Sequence, residues 1–443
     1  MIADAFVVMA VGALVAASCA LVGSFLVLRK LAMLSDAISH AVLPGIVVAF
    51  LLTGSRSSWP MFVGAVLVGA LTAFSVQFLA RRGVQGDAAI GVTFTSLFAI
   101  GVVLVSVYGS QVDLDLDCVL YGEIAYAPFD TISWGDVNLG ARALWVNGGL
   151  LLLNLVVILG LYKQFKLCSF DPELAASVGI PVAVMHYLLM GLVATTTVGA
   201  FESVGAILVV AMLVVPGATA FLLTDRLSRM LPLAVAIGVA SALIGYQIAR
   251  ALDGSIAGAM AMVTGGFFLL AFLFAPRQGV VAKFASRRQT RRRVAEEDLL
   301  LWAGRRREAG TAAGFAAADV PVMAGAGGAA ATLGRLGRLG FVGQRNGEWA
   351  LTDAGFRQSL ELLRRHRLYE SFLGGLGYEP DHVHDPTDRV EHWIPKDVTA
   401  AVEEAARFPE RDPHDRPIPQ PAAESGPPAG GESESGASDP DSR

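Results

Sequence analysis

Nine predominantly apolar runs, each close to the about 20 residues an α-helix needs to cross a bilayer, occupy residues 4–28, 36–53, 60–80, 88–108, 143–162, 182–200, 203–223, 230–249 and 256–275. A backbone removed from water must satisfy its own N–H and C=O groups, and a helix does so within each segment. The first 275 residues are thereby restricted to a bundle of membrane helices. The first run starts without a basic leader and ends at Val27-Leu28-Arg29-Lys30, which reads as a retained helix rather than a signal peptide. Beyond residue 280 Arg, Asp and Glu recur at soluble-protein density, although the whole chain is 54% hydrophobic and only 16% charged. Two regimes in one chain imply two domains.

If the first run crosses from outside to inside, alternate connections place Arg29, Lys30, Arg81, Arg82, Lys163, Lys166, Arg226 and Arg229 in the cytoplasm and leave Arg56, Arg142 and Arg250 outside. That bias predicts an N-terminus outside and a C-terminus in the cytoplasm. The run Arg287, Arg288, Arg291, Arg292, Arg293 after the last span agrees with it. The three cysteines, Cys19, Cys118 and Cys168, are too dispersed for a disulfide framework or a CxxC zinc site. A formal charge of −5 gives no general attraction to nucleic acid.

Within the spans the informative residues are ionisable. Asp36 and His40 stand four apart on one face of an apolar run, where a charge near the bilayer centre costs at least about 2.5 kcal/mol. A carboxylate and an imidazole could there replace part of a metal ion's water; a hydrogen bond that only holds helices together is the alternative. Glu202, at the outer end of the seventh run, reads either as a pathway carboxylate or as an interfacial residue. The connection 109–142 starts with Asp113, Asp115 and Asp117, either a solvated loop or a cation-attracting vestibule and docking surface. On the inner side, Phe170-Asp171-Pro172-Glu173 carries helix-cap chemistry and predicts a short amphipathic helix that a partner could grip.

Residues 294–419 read as soluble and mostly helical, with Asn346-Gly347 between two strand-like runs from Phe341 to Leu351, a hairpin signal. Helices followed by a hairpin and another helix predict a winged helix. His366 and Glu370 share a helix face, and His384, Asp388, Glu391 and His392 repeat the spacing. These are O and N donors without thiolate, a set suited to manganese or ferrous iron rather than copper. Pro386 fits only the first turn of the second helix. The Pro, Gly, Ser and Glu content of 420–443 predicts disorder.

Two resemblances follow from these motifs. Residues 1–279 resemble the zinc, manganese and iron permeases of the ABC-3 family, through Leu31 to Gly45 with its Asp36 and His40, Asp115 to Gly122, Asp171 to Ile180, and Phe201 to Pro216. The resemblance implies a permease in a bacterial cell membrane, with Asp171, Pro172, Glu173 and Gly179 where the family contacts its ATPase. The implied partners are an ABC ATPase subunit, an extracellular metal-binding lipoprotein, and a second permease copy or sister permease. No GxxxxGK[ST] pattern occurs, so this chain is not the enzyme; ATP is hydrolysed on another subunit. Residues 294–419 resemble the iron- and manganese-dependent repressors of the diphtheria-toxin-repressor family, through the His366/Glu370 pair, the Val383 to His392 run and Asp412-Pro413-His414-Asp415-Arg416-Pro417-Ile418-Pro419. This implies bound Mn(II) or Fe(II) on His366, Glu370, His384, Asp388, Glu391 and His392, with Asp298 matching a first-helix ligand. Asp388 stands where iron-type members have Cys and manganese-type members Glu, which tilts the reading to manganese. The stretch expected as recognition helix, Ala324 to Ala331, holds three glycines, each costing about 1 kcal/mol, and no Gln, Asn or Lys for base edges.

The fold class expected is an α-helical membrane protein with about nine transmembrane helices, plus a mostly helical cytoplasmic winged-helix and metal-binding domain. The expected divisions are 1–279 permease, 280–293 basic linker, 294–362 winged helix, 363–419 metal-binding and dimerisation-like domain, and 420–443 tail. The function expected is import of a divalent transition metal with a metal-sensing tail; the alternative is a membrane-tethered, metal-responsive DNA-binding regulator.

Overall fold

The structure, a computed structural model, describes residues 2–53, 58–108, 124–134, 137–310, 314–321, 328–345, 347–379, 382–393 and 395–420. Asp113, Asp115 and Asp117, with the Asp115 to Gly122 motif, lie outside the described residues, as does the tail beyond Gln420. The chain divides into two compact units, residues 1–283 and 284–443.

In the first unit, nine helices among the described residues are long and apolar enough to cross a membrane. They are built from α1 (Ile2–Leu28), α2 (Ala32–Ala41) with α3 (Leu43–Thr53), α4 (Ser58–Arg81), α5 (Gly86–Tyr108), α6 (Arg142–Gly160), α9 (Val182–Val204), α10 (Ala206–Leu223), α11 (Leu227–Leu252) and α12 (Ile256–Phe274). Between α5 and α6 an antiparallel pair, β1 (Thr131–Trp134) and β2 (Val137–Ala141), occupies part of the connection read from sequence as a loop. On the other side, α7 (Tyr162–Phe170) and α8 (Pro172–Ser177) join α6 to α9.

Helix α1 is the hub, packed by α6, α9, α10 and α11. Its apolar sequence supplies no moment to say so; what permits it is small residues. A Cβ on Gly23 would stand 1.7 Å from the Leu213 carbonyl oxygen of α10, so α1 and α10 touch backbone to backbone only because that residue is glycine. Lipid tails are as apolar as leucine, so close approach and hydrogen bonds hold such bundles. Asn154 of α6 accordingly donates to Ser18 Oγ at 2.7 Å and to Thr196 Oγ1 at 2.8 Å, tying three helices at one buried point.

The second span differs from its sequence reading. It starts at Ala32 rather than residue 36 and is broken at Val42. Pro44 has no N–H to offer the His40 carbonyl and its ring crowds that oxygen, so the α-helical ladder cannot run through.

In the second unit the basic stretch 280–293 is not a separate linker: α13 (Val280–Glu308) runs unbroken through it. Then come α14 (Gly328–Arg338), β3 (Val342–Arg345), β4 (Glu348–Leu351), α15 (Asp353–Gly375), α16 (His384–Val390), a 3-10 turn at Glu391–Trp393 and α17 (Lys396–Ala405). Strands β3 and β4 pair antiparallel, with Arg345 opposite Glu348 and Gly347 at φ +86° in the turn. Phe315 adds a single antiparallel bridge to Trp349 at the edge of this two-stranded wing. Leu299, Leu300, Ala303, Leu333, Leu336, Val342, Leu362 and Leu363 form the core beneath it. Helix α15 passes straight through the division expected at 362/363. Of the recognition helix expected over 324–331, residues up to 327 lie outside the described residues, and the described helix runs from Gly328 to Arg338.

Candidate functional site

In the membrane unit the i,i+4 spacing does what helix geometry requires: His40 Nε2 lies 3.5 Å from Asp36 Oδ1. Both side chains are partly exposed, 38% for His40 and 48% for Asp36, so they line a surface rather than plug a core. The break at Val42 ends the helix two residues beyond His40. The His40 ring meets Phe94 and Phe98 of α5 at 5.9 and 6.2 Å, which fixes it against an apolar wall.

Glu202 sits elsewhere. It belongs to the last turn of α9, the sixth span and not the seventh, because Gly205 at φ +82° ends that helix only after it. Its Oε1 is 3.4 Å from Arg142 at the start of α6, so it is paired with a cation rather than with Asp36 or His40. On the opposite connection Asp171 caps α8, accepting from the Leu174 N–H at 2.9 Å, with Pro172 in the first turn. Glu173 is exposed, and Gly179 turns the chain at φ +83°. Phe170, Leu174 and Val178 are all about half exposed or more, an apolar strip bounded by those polar residues.

The second unit carries the denser cluster. Helix α15 presents His366 and Glu370 with side chains 3% and 1% exposed, and His366 Nε2 is 2.8 Å from Glu370 Oε1. The other ring nitrogen, Nδ1, is 2.7 Å from Glu391 Oε2 and 3.5 Å from Asp388 Oδ1. From α16, His384 Nδ1 comes within 2.5 Å of Glu370 Oε1. Pro386 is third in that helix, inside the first turn where its missing N–H costs nothing. His392 Nε2 faces Asp298 of α13 at 3.0 Å and Glu391 Oε1 at 3.6 Å. The structure thus brings all seven sequence-chosen residues of this unit together.

It also adds three that sequence reading did not assign. Glu297 takes the second nitrogen of His392 at 2.7 Å, a contact that orients the ring. Asp412 and His414 join Glu370, and the His414 ring stacks on His384 with centroids 4.5 Å apart. The signal for them was an acid and an imidazole two apart, too common a spacing to assign.

Among the described residues four triplets offer ligand atoms within 4.8 Å of one another: His366, Glu370 and His384; His366, Asp388 and Glu391; Asp298, Glu391 and His392; Glu370, Asp412 and His414. Glu370 Oε1, although His366 and His384 each bring a ring nitrogen within 2.8 Å of it, and His414 Nδ1 are buried and form no hydrogen bond among the described residues. Unpartnered polar atoms of that kind are costly, and a cation among oxygen and nitrogen donors removes the cost. The residues fit a hard or borderline divalent ion.

The same carboxylates hold protons on the imidazoles in the metal-free protein. Burial disfavours the charged form of His366, but hydrogen bonds and charge from Glu370 and Glu391 outweigh it and hold its pKa up at about 9. Burial of His392 is likewise overcome by Asp298 and Glu297, again to about 9. A metal requires neutral imidazole, so at pH 7 it must displace these protons. Expected, therefore, is that metal affinity of the full chain rises from pH 6 to 9, by up to about tenfold per pH unit for each proton released. Calorimetry in buffers of different ionisation enthalpy would count the protons; affinity independent of pH across that range would contradict the geometry.

The comparisons with known proteins agree with both units. Residues 352–420 match the family described as iron dependent repressor, metal binding and dimerisation domain, which places all of α15 with the metal-binding segment. The manganese transport system membrane protein MntD of Bacillus subtilis is 56% identical over 276 residues, 62% of this chain and 94% of that protein. The zinc transport system membrane protein TroD of Treponema pallidum is 45% identical over 278 residues, 62% of this chain and 75% of that protein. Among solved structures, PsaBC from Streptococcus pneumoniae in complex with Fab superposes with a TM-score of 0.52 at 32% identity, covering 63% of this chain and 98% of that one. Residues 2–275, from the first span to the end of the ninth, match the model of the ABC 3 transport family, and the chain belongs to that family.

Proposed function

We propose that this chain is the permease subunit of an ATP-binding-cassette importer that moves a divalent transition metal, manganese first, into the cytoplasm, and that its tail senses the same ion. The observation carrying the first part is the Asp36/His40 pair, 3.5 Å apart at the broken second span. Two ligands on one helix face hold a metal incompletely, which is what passage demands; a closed shell would retain it. Relatives named for manganese and zinc transport support a metal as cargo.

In this reading the first span runs inward, the tail is cytoplasmic, and α7 and α8 with Asp171, Pro172, Glu173 and Gly179 meet a separate ATPase. An extracellular metal-binding lipoprotein delivers the ion, and a second permease, identical or related, completes the path. The tail cluster of His366, Glu370, His384, Asp388, Glu391, His392 and Asp298 holds Mn(II) or Fe(II) as a resident ion. Sensing is favoured over DNA binding because Arg335, one of the two cations after the glycine-rich stretch, is spent on Glu296 at 2.6 Å. Reconstituted with its ATPase and delivery protein, the chain should accumulate Mn(II) in competition with Zn(II) and Fe(II). ATP-dependent uptake of none of the three would end this reading.

A further inference from the structure

Where the last span gives way to the tail, α13 opens with a cationic face that neither transport nor metal binding uses. At about 100° per residue, Lys283, Arg287, Arg288, Arg291 and Arg292 fall on one half of the helix together with Val280 and Phe284, while Ala282, Ser286 and Gln289 lie opposite. All seven residues of the first group are exposed, Phe284 by 69%. Among the described residues no acid pairs with Arg287, Arg288, Arg291 or Arg292, whereas Arg293 and Arg335 farther along have Glu297 and Glu296. Four uncompensated guanidinium groups within six residues repel one another unless an anion lies against them.

The start of this helix is held close to the end of α12. Gly279 N–H bonds the Ala275 carbonyl at 3.0 Å and Lys283 N–H bonds Gly279 at 2.9 Å, so the five connecting residues form a compact hydrogen-bonded turn. Glycine is required there, since a Cβ would stand 2.5 Å from the Ala275 oxygen. Residues up to Lys283 belong to the membrane unit. That unit also lines a cavity of about 340 Å³ with Arg226, Arg229 and Arg277, the last of which is paired with Asp225.

We propose that the first three turns of α13 bind the anionic lipid headgroups of the cytoplasmic leaflet, with Phe284 and Val280 entering the interface between the arginines. Clusters of four to eight cations directly beyond a span are attracted to such headgroups, and the attraction dies away within a Debye length of about 8 Å at physiological salt. Five residues separate the end of α12 from the start of this face. The inner-leaflet placement rests on the orientation proposed above; the lipid contact itself does not.

The test uses the full chain in nanodiscs, which expose both membrane faces. Hydrogen–deuterium exchange over 283–292 should be at least fivefold slower in discs containing 30% phosphatidylglycerol than in pure phosphatidylcholine, and 0.5 M salt should erase the difference. The variant R287Q/R288Q/R291Q/R292Q should lose the slowing while the buried stretch 299–304 keeps its protection. Equal exchange in both lipids, or slowing that persists in the variant, would overturn the proposal. So would slowing produced by a DNA duplex in neutral discs but not by anionic lipid, an outcome that assigns the face to nucleic acid. Orientation is read separately: labelling of Ser286→Cys, in a Cys118→Ser background, by an impermeant maleimide on intact cells would overturn the inner-leaflet placement and leave lipid binding standing.

Discussion

Metal uptake by proteoliposomes is expected to fall on the order of 50- to 100-fold when either Asp36 or His40 is replaced by Ala, with the bundle still folded. The magnitude comes from the membrane. A charge near the bilayer centre costs at least about 2.5 kcal/mol even on the most lenient scale, and each 1.36 kcal/mol is tenfold in rate. Removing one of two ligands leaves the cation to bear that cost with little in exchange. Folding should survive because both side chains are partly exposed and, among the described residues, make no hydrogen bond to another helix; Asn147 and Asn154 supply interhelical ties instead. Were the pair only a local helix contact, both variants would transport normally, and that result would remove them from the path. Glu202→Ala is the contrast: paired with Arg142, it should change uptake far less than either.

The second large effect belongs to the tail. Glu391→Ala should weaken divalent metal binding by the full chain more than 100-fold, measured by calorimetry at pH 9. Its carboxylate reaches both halves of the cluster, with Oε2 2.7 Å from His366 and Oε1 3.6 Å from His392. Loss of a mere supporting group costs roughly 10- to 100-fold in affinity, and a ligand shared by two triplets should exceed that. The pH matters because Glu391 also stabilises the protons that compete with metal at pH 7; its removal would lower that competition and mask part of the loss. Asp415→Ala, an exposed acid beside the cluster, should leave affinity within about twofold. Equal affinity in the two variants would mean that the buried triplets hold no ion.

Much of this was legible in the residues. Long apolar runs can only be membrane helices, because no other backbone form satisfies itself in lipid one segment at a time. Asp171-Pro172 had to begin a helix, and Asn346-Gly347 a hairpin, since each rests on chemistry within four residues. The i,i+4 pairs Asp36/His40 and His366/Glu370 were visible for the same reason. What stayed hidden depends on distant contacts. Glu202 was assigned to the wrong span because apolar residues continue on both sides of Gly205, and only the left-handed turn there marks the boundary. The role of Glu297 and the meeting of Asp412 and His414 with Glu370 join positions up to 95 residues apart.

By itself the sequence determined that this chain crosses a membrane and which residue types could hold a metal, because those follow from hydropathy and helical period along the chain. Only the tertiary structure decided that α1 is the hub, that Glu202 is tied to Arg142, and that α13, α15, α16 and the closing Asp412 to His414 segment converge on one cluster. Such convergence depends on close packing in three dimensions, where one glycine such as Gly23 or one proline such as Pro44 sets how near two backbones come or where a helix breaks.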